Sequence, residues 1–200
     1  MSIIELINIL SIISGIISVW LTSRQHIVWI PAGVINVLTT AFICYHTQLY
    51  SDFVLQWIYL VLILYALYKW NAIQVIEQSA YHTYSISLIQ GTIYLSLVVI
   101  FGFLLGYIMK KIFHASMPYT DAILMMLCLV AQYLQSKKII QHYLLWIIAN
   151  IGYIYLYIAR AETLLHWQHL LWSQAGLYLL YLLIAIYGWY KWNRHKKKIV

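Results

Sequence analysis

Long apolar runs fill this chain, and short polar breaks interrupt them at nearly regular intervals. A helix needs about 20 apolar residues to cross a hydrocarbon core of about 30 Å. Seven stretches meet or approach that length: 3–21, 28–46, 52–70, 86–108, 119–135, 142–159 and 170–190. The fifth is the shortest, follows Pro118 and carries Asp121. The third and fourth are separated by NAIQVIEQSAYHTYS, the most polar stretch of the chain. The pattern predicts an all-α integral membrane protein with seven transmembrane helices. The opening MSIIELINIL has Glu5 as its first charge and no small-residue cleavage pattern. It therefore reads as a retained first span, not a signal peptide.

Composition agrees with this reading. Of 200 residues, 64% are hydrophobic and 8% are charged, and the mean hydropathy is +0.81. So few charges cannot cover a water-soluble domain, so membrane lipid is the expected solvent. The net charge of +7 does not point to nucleic acid, because the basic residues sit at span ends and in the tail. With the N-terminus outside, nine of the twelve Lys and Arg fall on the inner side and three, Lys110, Lys111 and Arg160, on the outer side. The positive-inside rule thus predicts N-out, C-in.

Two segments end alike. YALYKWN (65–71) and YGWYKWN (187–193) share five of seven residues at an offset of 122. Carried back, that offset pairs Ser51 with Ser173, Gln56 with Tyr178 and Tyr59 with Tyr181. IVWIPAG (27–33) and LLWIIAN (144–150) pair Trp29 with Trp146 at an offset of 117. The expected organisation is a three-helix repeat at 1–71, a linker and connecting helix at 72–117, and a second three-helix repeat with a basic tail at 118–200. A single connecting helix leaves both copies the same way up, a 3+1+3 parallel repeat of the kind found in transporters with a site between the halves.

The candidate site follows from polar and aromatic positions inside the spans. Tyr143, Trp146 and Asn150 lie at i, i+3 and i+7, within roughly 60° on one helical face. Such a stripe, running inward from the interface, suits the wall of a pathway. Buried amides in lipid face the bundle interior, which adds Gln56, with Asn36 and Gln132 next. Gln56 and Tyr59 form the expected facing wall, and their repeat partners Tyr178 and Tyr181 complete it. Pro31 and Gly33 suggest a hinge early in the second span. Trp70, Trp189, Tyr190 and Trp192 read as an interfacial belt.

The chemistry of an enzyme is missing from the pattern. The five acids are Glu5, Asp52, Glu77, Asp121 and Glu162. None sits in mid-span or is paired with a nucleophile. The same distribution favours facilitated diffusion over ion coupling. Cys44 and Cys128 lie within apolar runs, without a CxxC motif. His166 and His169 lack the acidic or thiol partner that a metal would want. No cofactor or metal is expected. A membrane subunit without transport activity and a sugar-type carrier are the other readings that the residues leave open.

YLLWIIAN (143–150), DFVLQWIY (52–59) and the repeated YxxYKWN ends together resemble the PnuC family of bacterial vitamin transporters over almost the whole chain. Tyr143, Trp146 and Asn150 match its aromatic-x-x-aromatic-x-x-x-amide motif. Asp52, Gln56 and Tyr59 match its Asp-x-x-x-Gln-x-x-Tyr pattern. The resemblance implies a SWEET-like 3+1+3 arrangement, a homotrimer in the bacterial inner membrane, and uncoupled uptake of nicotinamide riboside trapped by cytoplasmic phosphorylation. Tyr143 departs from the Trp usual among nicotinamide riboside carriers, which keeps thiamine as the alternative. Both vitamins are flat cations that aromatic faces attract by roughly 0.5–2 kcal/mol per ring.

Overall fold

The computed structural model describes residues 3–46, 50–76, 83–113, 117–163, 165 and 168–194, with the side chains of 50, 51 and 71–76 left aside. It contains α1 (Ile3–Ser23), α2 (Trp29–His46), α3 (Tyr50–Ile76), α4 (Leu88–Phe113), α5 (Pro118–Ser136), α6 (His142–Thr163) and α7 (Gln168–Asn193). These are the seven expected helices, within a few residues at most ends. Among the described residues, six are long and apolar enough to cross a membrane, and α5 is not. Its position explains the difference. α5 packs on α3, α4 and α6, and ten of its 19 residues are buried. A helix surrounded by protein does not need lipid-soluble side chains around its whole circumference.

Six helices form a closed ring in the order α1, α2, α3, α5, α6, α7 and back to α1. Among the described residues, α4 stands outside this ring and packs on α5 alone of the helices. Its contact stripe is Val98, Gly102 and Gly106, spaced four residues apart. A Cβ at Gly102 or Gly106 would lie within 3.2 Å of backbone atoms of α5. The two glycines of this GxxxG motif let the backbones meet. The rest of α4 exposes apolar side chains such as Ile93, Ile100, Phe103 and Leu104.

Two helix ends are built identically. At the end of α1, Gln25 N–H donates to the Thr22 carbonyl and His26 N–H to that of Leu21. At the end of α5, 113 residues on, Lys138 N–H donates to Gln135 and Ile139 N–H to Leu134. Gln25 and Lys138 both take φ of 55°. This is the Schellman cap, with a left-handed residue that is usually glycine. The starts of α2 and α6 also match at this spacing, Trp29→His26 with His142→Ile139 and Ile30→Ile27 with Tyr143→Ile140. The spacing of 113 corrects the one read from the sequence. Trp146 corresponds to Gly33, one turn beyond Trp29, because capping geometry sets the register and the shared Trp does not.

The described YKWN tryptophans are not a belt. Trp70 and Trp192 are almost wholly buried, whereas Trp189 is intermediate and Tyr190 is exposed. Trp70 packs edge-on to Trp29 at 5.5 Å, with the Lys138 ammonium 4.8 Å from its ring centre. Trp192 donates to the Ser23 carbonyl at 3.0 Å and packs edge-on to His142 and Tyr143. Each indole thus pins the end of its own helix to other helix ends. Two charges used for orientation are likewise inside the protein: Lys138 in this aromatic layer, and Arg160 in an ion pair with Asp121. The end of the polar connector is laid under the same layer. Tyr84 N–H donates to the Lys138 carbonyl of the α5–α6 turn, the Tyr84 carbonyl accepts from Ile140 N–H, and Gln25 donates to Thr83.

Candidate functional site

The ring encloses a cavity of about 150 Å³, room for roughly ten water-sized spheres. All six ring helices line it, and α4 does not. Gln56, Tyr59, Tyr143, Trp146, Asn150, Tyr178 and Tyr181 all face this one space. So do the further amides Asn36 and Gln132, and Gly33. Pro31 does not line the cavity; it sits in the first turn of α2, where a missing N–H costs no ladder bond. α2 runs unbroken from Trp29 to His46. At Gly33 a Cβ would lie 3.1 Å from the Ser18 hydroxyl, so glycine lets α1 and α2 approach closely. His166 lies outside the described residues.

Most of the lining repeats by position, Ser18, Trp29, Asn36 and Tyr143 being the exceptions. Gly15, Val19 and Thr22 of α1 correspond to Cys128, Gln132 and Gln135 of α5, 113 on. Gly33, Val37, Thr40 and Cys44 of α2 correspond in the same way to Trp146, Asn150, Tyr153 and Tyr157 of α6. Asp52, Leu55, Gln56, Tyr59 and Ile63 of α3 correspond to Gln174, Leu177, Tyr178, Tyr181 and Ala185 of α7, 122 on. Positions match, but chemistry does not. α2 offers small side chains where α6 offers aromatic rings and an amide. The two halves therefore present different chemistry to the same cavity.

Hydrogen bonds fix some of these groups. Trp146 donates to Gln135 Oε1 at 2.9 Å, which sets the indole plane. Asn36 donates to the Ser11 carbonyl at 2.8 Å. Gln56 and Asn150 are buried, and both line the cavity. Tyr59 and Trp146 meet edge-on at 6.4 Å across the walls. Tyr153 and Tyr178 stack at 4.7 Å, with Tyr157 at 5.4 Å from Tyr178. Tyr143 lies on bare backbone: a Cβ at Gly188 would fall 2.5 Å from its hydroxyl.

Sequence reasoning missed α1 entirely, although its signal is legible. Asn8, Ser11, Gly15, Ser18 and Thr22 recur at alternating spacings of three and four, one face of a helix, and all are buried. It also missed Tyr153 and Tyr157, one and two turns beyond Asn150 on the same stripe. It left Asp52 out of the site too; this acid, in the first turn of α3, lines the cavity because the cavity extends to the start of that helix.

A ring of membrane-length helices around one aromatic, amide-lined cavity is the construction of a small-molecule membrane carrier. The chain belongs to the nicotinamide mononucleotide transporter family, whose model matches residues 5–194. It is 24% identical over 163 residues to the nicotinamide riboside transporter PnuC of Escherichia coli (strain K12), covering 70% of this chain and 68% of that one. The Shigella flexneri protein of the same name matches equally. A solved structure described as the crystal structure of the vitamin B3 transporter PnuC superposes with a TM-score of 0.75 at 19% identity, covering 96% of this chain and 83% of that chain.

Proposed function

We propose that this protein mediates facilitated uptake of nicotinamide riboside across the bacterial inner membrane, with phosphorylation in the cytoplasm trapping the product. The observation that carries the reading is the pair of buried amides, Gln56 and Asn150, held among Tyr59, Trp146 and Tyr178 in one cavity. Aromatic faces suit a flat vitamin ring, and amides suit hydroxyls or a carboxamide. The family membership and the named relatives support the riboside; thiamine, a flat cation of similar demands, is the alternative.

In this reading the halves 1–71 and 118–200 move against one another about the cavity, and 72–117 connects them. The matched caps and the matched cavity lining support a parallel 3+1+3 repeat. The proposed topology is N-out, C-in, and the proposed assembly is a homotrimer. Gly33 is the proposed hinge point with Pro31 beside it.

Saturable uptake of labelled nicotinamide riboside into vesicles holding the pure protein is the expected result. Thiamine uptake without riboside uptake would reverse the order of substrates. Unchanged transport in Asn150→Ala and in Gln56→Ala would remove the site from this cavity.

A further inference from the structure

Among the described residues that line the cavity, Asp52 is the one carboxylic acid, and no Lys or Arg joins it. The position that corresponds to it in the second half is held by an uncharged Gln174, which donates to Asn8 at 2.9 Å. The nearby acid Asp121 is paired with Arg160, and both are largely buried. Asp52 is therefore the acid that faces the cavity at this end. Tyr153 lines the cavity next to the Asp52 carboxylate. The same tyrosine stacks on Tyr178, which stacks on Tyr157, so three near-parallel rings stand beside the acid.

We infer that Asp52 and the Tyr153–Tyr178–Tyr157 stack form a cation subsite that selects positively charged flat heterocycles over their neutral counterparts. The inference rests on the proposed carriage of a vitamin and adds the feature that discriminates. A carboxylate attracts the ring charge, and tyrosine faces add cation–π attraction at close range. Gln56 and Asn150 cannot make this distinction, because a neutral amide binds charged and uncharged ligands of one shape nearly alike. The asymmetry of the two halves gives the ligand a polarity: its cationic ring goes to the Asp52 end, and its uncharged polar groups go to the amides.

A plain structural role for Asp52 makes a different forecast. The residue lies in the first turn of α3, where a carboxylate also suits the helix dipole. Loss of that role would lower stability and weaken all ligands together.

The test compares nicotinamide riboside with 1,4-dihydronicotinamide riboside, which has nearly the same shape and no ring charge. Binding to the purified full-length protein is followed by calorimetry. The wild type is expected to prefer the cation about tenfold or more, the scale of one partly screened charge contact. Asp52→Asn is expected to lose that preference while its affinity for the dihydro form changes less than twofold. Asp52→Glu, which keeps the charge, is expected to keep the preference. Equal weakening of both ligands in Asp52→Asn, or no change in their ratio, overturns the proposal.

Failure of the riboside reading looks different. If the wild type binds neither riboside, the pair 1-methylnicotinamide and nicotinamide reads charge selection without the ribose. Preference for the methylated cation, lost in Asp52→Asn, upholds the subsite while the riboside assignment falls. No preference in that pair overturns the subsite too.

Discussion

Gly15 offers a direct test of how tightly the cavity wall is built. A Cβ placed there would lie 1.9 Å from the Tyr181 hydroxyl oxygen, 2.8 Å from Asn36 Nδ2 and 3.2 Å from Tyr181 Cζ. Ordinary contact begins at 3.4 Å, so Gly15→Ala leaves the hydroxyl 1.5 Å too close. The helix itself loses nothing, since Ala is the better helix former. Tyr181 must retreat along the wall it shares with Gln56 and Tyr178. Overpacking of this kind costs about 1–3 kcal/mol, equivalent to roughly a 5- to 150-fold loss of affinity. Tyr181→Phe removes the offending oxygen and leaves Cζ only 0.2 Å short of ordinary contact. The double variant is therefore expected to recover most of the binding, apart from the smaller adjustment at Asn36. Titration of labelled riboside against both single variants and the double variant measures the coupling. Undiminished binding in Gly15→Ala, or a double variant as weak as the single one, would refute the packing argument.

Three other outcomes follow from the geometry. Trp146→Phe keeps a ring but loses the bond to Gln135, so affinity should fall by about 1 kcal/mol, roughly fivefold, with melting nearly unchanged. Arg160→Ala strands the buried Asp121 carboxylate and should lower stability by about 3–5 kcal/mol in a detergent melting series, whereas Arg160→Met with Asp121→Leu should recover most of it. Gly106→Val presses against Tyr119 and loosens α4 from α5, so thermal stability should drop while ligand affinity holds, because α4 does not line the cavity.

Much of this protein follows from its sequence through lengths and spacings that the bilayer enforces. Every candidate span became a helix, because backbone groups in lipid have no partners except those within the helix. Tyr143, Trp146 and Asn150 share a face by helical arithmetic alone, and Gln56 faces inward because an amide facing lipid is costly. The serine and glycine stripe of α1 was equally legible but obeys the same rule less conspicuously, since small residues make little mark on a hydropathy profile.

Other features depended on how the helices meet. Matching tryptophans suggested the register of the repeat, yet the two Schellman caps set it four residues away, since backbone hydrogen bonding is insensitive to which side chain is shared. Trp70 and Trp192 have the composition of belt residues, and only packing shows that they lock helix ends together. Asp52 is four residues from Gln56 and near a span end. Local sequence cannot say how far a cavity reaches, so only the closed ring of six helices reveals that this acid faces the ligand space. Chain composition determined what had to be inside a membrane; the relative placement of six helices decided which of those residues share one cavity.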